Sequence, residues 1–243
     1  MSFLSLSVRT FLLLAFIGVS LVHSQVVRFP DGLERGDQYR LLFMTSAERT
    51  AESSDASEYD EFVQSLADAA PEVGSWGYQW QAVVSSADAD ARDRINVNPD
   101  VAVGVPIYRI DGLIIAEDYS KFWPDTDNGI NRIPQLNVTE LGDTLVAPGI
   151  RDFVEVWTAT RASGFRDVEG LLGGFQVGFG NAEQGSRGAI WRDRVRPTRD
   201  LKHVYAISEV LTVPEPSHSL FYFVAVSALL WATGRSKRRL REF

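Results

Sequence analysis

Two apolar segments without charged residues lie at opposite ends of this chain, and they limit what it can fold into. The first covers residues 11–22 and the second covers residues 219–233. Both are shorter than the about 20 residues that a full membrane span needs. A folded core must therefore come from residues 25–212, a length that suits one domain, and no internal repeat divides it.

The N-terminal segment has the layout of a secretory signal peptide. Arg9 precedes the apolar run, and small residues surround Ser24 at its end. A positive start, a short apolar run and a small-residue cleavage site are the three parts of such a peptide. We therefore predict a signal peptide over residues 1–24 and an exported mature chain, with an uncleaved membrane anchor as the alternative.

The C-terminal segment, residues 213–243, has three parts in a fixed order. It opens with Val213-Pro214-Glu215-Pro216-Ser217, where the prolines prevent a helix or strand from continuing. The apolar run follows, and a basic cluster then closes the chain. The members of this cluster are Arg235, Lys237, Arg238, Arg239 and Arg241. Basic residues after an apolar segment stay in the cytoplasm. The pattern predicts a transmembrane helix with its stop signal at Arg235, Lys237, Arg238 and Arg239, with a buried core helix as the alternative.

This order of parts resembles the PEP-CTERM sorting tail that exosortase enzymes recognise in Gram-negative bacteria. The resemblance implies that Pro214, Glu215 and Pro216 form the sorting motif and that an exosortase processes the chain. It also implies a precursor held transiently in the inner membrane and delivery to the cell envelope or the extracellular matrix. The sequence leaves open whether the mature protein stays anchored.

The charge of residues 25–212 excludes some classes of partner. This part has 18 basic and 30 acidic residues, which gives a net charge of −12. A nucleic acid or an anionic lipid surface requires a basic face, so we expect neither as a partner of the domain. The chain contains no cysteine. Exported domains often depend on disulfides, so this one must gain its stability from packing alone.

The pattern of residues predicts an α+β domain with antiparallel sheet. Helical spacing of apolar residues from Ser57 to Ala70 predicts a first helix of about four turns, with Ser57 and Asp60 as its capping pair. A second, shorter helix is predicted over residues 85–94. Strands are predicted at residues 39–45, 79–84, 105–109, 113–116, 154–160 and 203–210. Residues 117–151 form a long irregular loop region, and such loops are often functional.

The order of these pieces resembles a bacterial endostatin-like, C-type-lectin-like module. The matching landmarks are Phe43 to Ser46, the helix from Ser57, Trp80 to Ile95, Pro106 to Ala116, Phe122-Trp123, Val156 to Gly164 and Val204 to Val210. The resemblance implies two helices beside antiparallel sheets, paired first and last strands, and a long loop region that binds calcium and sugar in lectin members. The calcium-binding tripeptides of those lectins are absent from residues 25–212.

Candidate ligand-binding residues lie in the loop region. We expect Trp123 to be exposed, because it precedes a polar stretch, and aromatic rings can stack on sugars. The oxygen-bearing residues Asp125, Asp127, Asn128 and Asn131 could partly surround calcium, with a solvated turn as the alternative. Their spacing differs from an EF-hand, so no metal site is assigned. His203 is the one histidine in residues 25–212, and we expect it to be structural; no catalytic residue is assigned.

The sequence therefore predicts a non-enzymatic binding or structural module of the cell envelope or the extracellular matrix. Extracellular polysaccharide is its candidate ligand, and no cofactor is required. The basic run Arg187, Arg192, Arg194, Arg196 and Arg199 forms a solvated face or ion pairs within the domain, or alternatively holds an acidic polysaccharide. The alternative function is an exported carbohydrate-active enzyme that uses paired carboxylates.

Overall fold

The computed structural model describes residues 25–123, 134–147, 153–183, 191 and 194–215. The predicted signal peptide and most of the sorting tail lie outside this range, including Pro216, Arg235, Lys237, Arg238 and Arg239. Among the described residues, no helix combines the length and the apolar character that a membrane crossing requires.

Within the described residues, nine strands and three α-helices form, which confirms the predicted α+β class. The strands are β1 (Gln38–Met44), β2 (Trp80–Ala82), β3 (Ile107–Arg109), β4 (Ile114–Ala116), β5 (Glu155–Trp157), β6 (Gln176–Asn181), β7 (Arg194–Pro197), β8 (His203–Ser208) and β9 (Leu211–Thr212). The helices are α1 (Ser57–Ala69), α2 (Ala91–Arg94) and α3 (Tyr119–Phe122).

The strands form one mixed sheet. Its order is β4-β3-β1-β8-β5-β6-β7, with β2 also beside β8 and β9 also beside β1. The pairing of β1 with β8 and β9 confirms that the first and last strands lie together. The expectation of a purely antiparallel sheet was wrong, because β1 pairs parallel with β3 and β5 pairs parallel with β8. Parallel pairs need a crossover connection, and the segment that contains α1, β2 and α2 provides the one between β1 and β3.

The sheet buries both of its faces. Side chains alternate along a strand, so neighbouring residues of β1 enter different cores. Tyr39, Leu41 and Phe43 pack in one core with Val204 and Ala206 of β8; we call this side the first face. Leu42 and Met44 pack in the other core with Tyr205 and Ile207; we call this side the second face.

Helix α1 covers the first face, as its helical spacing predicts. Tyr59, Val63 and Ala67 are spaced four residues apart and are buried against the sheet. The helix follows Ala56 with no side-chain cap, so the predicted capping pair of Ser57 and Asp60 was wrong.

Two polar side chains of α1 satisfy the backbone of β2. The Asp60 carboxylate accepts a hydrogen bond from the Ala82 N–H at 2.8 Å, and the Gln64 side-chain oxygen accepts one from the Trp80 N–H at 2.8 Å. Asp60 also pairs with Arg94 at 2.8 Å. An unpaired strand edge favours association with other chains, so α1 both packs on the sheet and protects this edge.

Short helices and loops cover the second face. Residues 85–94 were predicted as helix, but only Ala91–Arg94 is helical. The reason is Ser85, whose buried hydroxyl accepts from the Ala91 N–H at 2.9 Å and so offers the backbone an alternative to the helix. Strands β6 and β7, in the glycine-rich stretch and after it, were not predicted from the sequence.

Candidate functional site

A cavity of about 500 Å³ lies at the edge of the second face. The start of β1, the connection from α2 to β3, the helix α3 and the residue before β9 surround it. Its lining residues are Gln38, Arg40, Asp93, Asn96, Asn98, Val101, Ala102, Gly104, Val105, Tyr119 and Val210. This volume lies within the about 300–1,000 Å³ of small-molecule sites, and the lining combines apolar walls with a few polar groups, as such sites do.

Arg40 is the buried cation of this cavity. Its side chain enters the second face between apolar strand residues, and the residue is 4% exposed. Nη1 donates to the carbonyl oxygens of Ile95 at 2.8 Å and Ser208 at 3.2 Å, and Nη2 donates to that of Asn96 at 3.5 Å. The Nε–H is buried and has no partner among the described residues. Burial lowers the pKa of Arg40, but an arginine stays charged at neutral pH.

The loop of residues 96–104 forms one wall of the cavity. Arg92 pairs with Asp100 at 2.8 Å, and the Asn98 side-chain oxygen accepts from the Asp100 N–H at 2.8 Å. Asn96 lies in the left-handed region at φ 54°, which asparagine tolerates better than most residues. These contacts hold the loop without regular secondary structure.

Gly104 fixes the position of the Tyr119 ring. Its φ is 84°, and a Cβ at this position would lie 2.2 Å from the ring of Tyr119. The Tyr119 N–H donates to the Val103 carbonyl at 3.0 Å, which joins α3 to the loop. Because only glycine fits here without strain or a clash, the aromatic wall of the cavity depends on this residue.

Asp93 and three amide side chains supply the other polar groups of the cavity, and Asp93 carries the charge opposite to that of Arg40. The Asp93 carboxylate accepts from the Asn98 amide nitrogen at 2.5 Å. Gln38 and Asn96 add an amide each to the lining. A cavity that contains one cation, one carboxylate and several amides can bind a polar ligand by several hydrogen bonds at once.

The structure places Trp123 differently from the sequence prediction. It is 2% exposed, so the expected exposure was wrong. The indole packs against Phe122 and Trp191, with ring centroids at 4.8 and 4.7 Å, and its Nε1–H donates to the Val97 carbonyl at 2.8 Å. The polar residues that follow Trp123 in the sequence do not determine where its ring points. Trp123 therefore cannot stack on a sugar in this arrangement, and it anchors the loop at Val97.

The other candidate residues of the loop region were predicted as partial calcium ligands. Asp125, Asp127, Asn128 and Asn131 lie outside the described residues. Within the ranges that the structure describes, no group of three or more His, Cys, Asp or Glu side chains is placed to hold a metal ion.

The remaining predicted residues lie at the end of the domain and on β7 and β8. Pro214 and Glu215 directly follow Val213, whose N–H donates to the Asp37 carbonyl at 2.9 Å. His203 hydrogen-bonds the Thr45 carbonyl at 2.7 Å, as expected of a structural histidine. Arg196 of the basic run pairs with Glu155 at 3.3 Å, which matches ion pairing within the domain.

The residues that define the cavity were missed at the sequence level. One signal was present, because Arg40 is a charged residue in a strand whose neighbours Tyr39, Leu41, Leu42 and Phe43 are apolar. A charge in a strand that is buried on both faces needs partners, and here they come from backbone far away in the sequence. No spacing pattern joins Arg40 to Asp93 or Asn98.

No family model matches the chain, and no curated protein matches it in sequence.

Proposed function

We propose that this chain is an exported, non-catalytic binding module of a bacterial cell envelope or extracellular matrix. It binds a small polar ligand, such as a saccharide unit of an extracellular polysaccharide, and the binding site is the cavity beside Arg40. The observation that carries the proposal is a cavity of about 500 Å³ with a buried cation in its lining. Keeping a charge buried costs free energy, and binding sites are common places for that cost.

Export and sorting belong to the same proposal. The support is the order of parts at the two ends: a signal-like start, then Pro214-Glu215-Pro216, an apolar run and a basic end. In this proposal an exosortase cuts the tail near the motif after a transient stay in the inner membrane.

A C-type-lectin-like fold is also part of the proposal. Supporting it are the pairing of β1 with β8 and β9, and α1, the next element after β1, which packs beside the sheet. The departures are α2, which is a single turn, and two parallel strand pairs.

The cavity favours binding over the alternative of glycoside hydrolysis. Hydrolysis of a glycosidic bond uses two carboxyl groups on either side of the scissile bond. Of the cavity-lining residues that the structure describes, Asp93 is the one that carries a carboxylate. The same residues supply amides, an arginine and apolar contacts, which suit recognition of a ligand.

A thermal melt with a panel of neutral and acidic saccharides tests this function. We expect a ligand at about 100 times its Kd to raise Tm by roughly 5–10 °C, because it binds the folded state alone. The protein is produced from the full chain and kept in mild detergent. Further samples contain calcium or a chelator, and the proposal predicts equal Tm values in the two. A calcium-dependent rise would instead indicate a cation site, and Asp125, Asp127, Asn128 and Asn131 are then the first ligands to substitute.

A matched pair of variants shows whether the cavity is the site. Ala102→Trp places an indole at an exposed cavity-lining position, whereas Ala69→Trp places one on exposed helix surface outside the cavity. We expect the first to abolish the ligand-induced shift and the second to retain it. A shift that survives Ala102→Trp would move the binding site elsewhere, and a flat panel would contradict the proposed function.

A further inference from the structure

The guanidinium of Arg40 is only partly satisfied by the described residues. Two N–H groups of Nη1 serve the Ile95 and Ser208 carbonyls, and Nη2 makes one long hydrogen bond to the Asn96 carbonyl at 3.5 Å. Nε–H has no partner among the described residues. The Nε–H is enclosed by protein, so the part-buried Nη2 is the donor that a ligand in the cavity can reach. An N–H of a charged guanidinium donates a strong hydrogen bond to a carboxylate oxygen.

Among the described residues no carboxylate forms an ion pair with Arg40, and Glu209 acts on its charge only without direct contact. All three acceptors are backbone carbonyl oxygens, which carry partial charges only. The Tyr119 ring lies 5.8 Å from the guanidinium carbon, and a side-chain hydrogen bond with Tyr119 and the charge of Glu209 partly offset the effect of burial on the pKa of Arg40. A buried cation is most stable with an anion beside it, so the cavity favours a ligand that brings one.

Asp93 narrows the class of ligand further. Its carboxylate lines the same cavity and repels a simple anion, but it accepts hydrogen bonds from hydroxyl groups. The Asn98 amide, which donates to Asp93 at 2.5 Å, holds the two polar groups together. A ligand with a carboxylate at one end and hydroxyls at the other satisfies both Arg40 and Asp93.

The apolar part of the lining suits the ring of such a ligand. Val105 and Tyr119 form carbon-rich walls, and Val101 and Ala102 lie at exposed positions of the loop. A sugar ring presents C–H groups between its hydroxyls, and these pack on aliphatic and aromatic surface. The cavity volume of about 500 Å³ is large enough for such a ring.

We propose that the cavity binds a hexuronate, a sugar whose carboxylate pairs with Arg40 and whose hydroxyls bond Asp93 and Asn98. The proposal rests on the proposed function, since it names the ligand class of the same site. It assigns Arg40 as the residue that selects acidic over neutral sugars.

Isothermal titration calorimetry with sodium glucuronate, glucose and sodium acetate tests this proposal on the protein from the full chain. Glucuronate is expected to bind at least tenfold more tightly than either of the others, because only it satisfies both ends of the cavity. Arg40→Lys keeps the charge but loses the planar guanidinium and its Nη2 donor, so glucuronate should bind about tenfold more weakly. Arg28→Met removes an exposed arginine outside the cavity and should leave the affinity unchanged.

The outcomes separate the ligand class from the function. If glucose binds as tightly as glucuronate, the hexuronate assignment is overturned and the binding function stands. If acetate binds as tightly as glucuronate, the assigned role of Asp93 is wrong. If none of the three binds and the saccharide melts are also flat, both proposals fail. Circular dichroism of each variant shows whether it is folded. If an Arg40 variant does not fold, the loop variant Asn98→Ala replaces it. Asn98→Ala should weaken the binding of glucuronate and leave the binding of acetate unchanged.

Discussion

The two faces of the sheet are closed in different ways. A 13-residue amphipathic helix covers the first face, and its polar side chains satisfy a strand edge. Single-turn helices and a loop held by side-chain contacts cover the second face, which also contains Arg40 and a cavity. Helix α1 packs along the first face, whereas loops on a rigid scaffold can leave room for a ligand.

Buried polar groups show the same difference. On the first face the Tyr59 hydroxyl donates to the Ser53 carbonyl at 3.0 Å. On the second face the Tyr205 hydroxyl and the Trp191 Nε1–H are buried without a partner among the described residues. Burial raises the pKa of Tyr205 well above its ordinary value. Among the described residues, these two unpartnered groups lower the stability of the second core, whereas the Tyr59 hydroxyl of the first core is satisfied.

The largest expected effects come from truncating a core aromatic on either face. Phe43 and Phe122 are each at most 1% exposed, so we expect Phe43→Ala or Phe122→Ala to lower the free energy of unfolding by about 3–5 kcal/mol. Only Phe122→Ala should also weaken ligand binding, because Phe122 packs against Trp123, which anchors the loop. Urea unfolding and calorimetric titration measure the two effects. Phe175, which is 88% exposed, gives the control Phe175→Ala.

A smaller loss in the free energy of unfolding is expected from a substitution that affects β2, the strand whose edge α1 protects. Asp60→Ala removes the acceptor for the Ala82 N–H and the partner of Arg94, and we expect a loss of about 2–3 kcal/mol. Asp60→Asn retains an acceptor for this N–H, so it should lower the free energy of unfolding by less. Amide exchange at Ala82 should speed up in Asp60→Ala with ligand affinity unchanged. An unchanged exchange rate would show that α1 does not protect this edge.

Substituting two glycines that both have a positive φ distinguishes the cost of backbone strain from the cost of a clash at the cavity. Gly77→Ala, near the first face, meets open space and should cost about 1 kcal/mol from its φ of 68° alone. Gly104→Ala adds contact with the Tyr119 ring, so we expect it to cost about 2 kcal/mol and to weaken binding. Equal losses in thermal melts, with binding intact in both, would remove the assigned role of Gly104.

The smallest expected effects come from two tyrosine hydroxyls. Tyr59→Phe loses a hydrogen bond and should lower the free energy of unfolding by about 1 kcal/mol. Tyr205→Phe removes a buried hydroxyl without a described partner, so stability should stay equal or rise by about 1 kcal/mol. Urea unfolding of the two variants checks the opposite signs. A clear loss in Tyr205→Phe would mean that this hydroxyl is bonded in solution.

The first face could be predicted from the sequence and the second only in part. Local periodicity determined α1, because apolar residues at 59, 63 and 67 reach one core. The glycines of β6 concealed that strand, since Gly178 packs so closely on Asp167 that a Cβ would lie 3.0 Å from its oxygen. Parallel pairs and the partners of Arg40 depend on contacts between residues far apart in the sequence, which no local pattern contains.

The candidate site, like the second face, could be predicted from the sequence only in part. Trp123 was selected as exposed from its polar neighbours, but the loop that it anchors comes from residues about 26 positions earlier. The lining residues Gln38, Asp93 and Tyr119 meet only because β1, α2 and α3 come together beside the second face. Composition excluded a basic nucleic-acid surface, but it could not reveal one buried arginine.

Hydrogen exchange of the protein with and without saturating glucuronate tests the central claim most directly. We expect slower exchange in residues 96–105, because this loop lines the cavity, and unchanged exchange in α1, Ser57–Ala69. Protection that appears in α1, or that leaves the loop unaffected, would contradict the assignment of stability to the first face and of binding to the second.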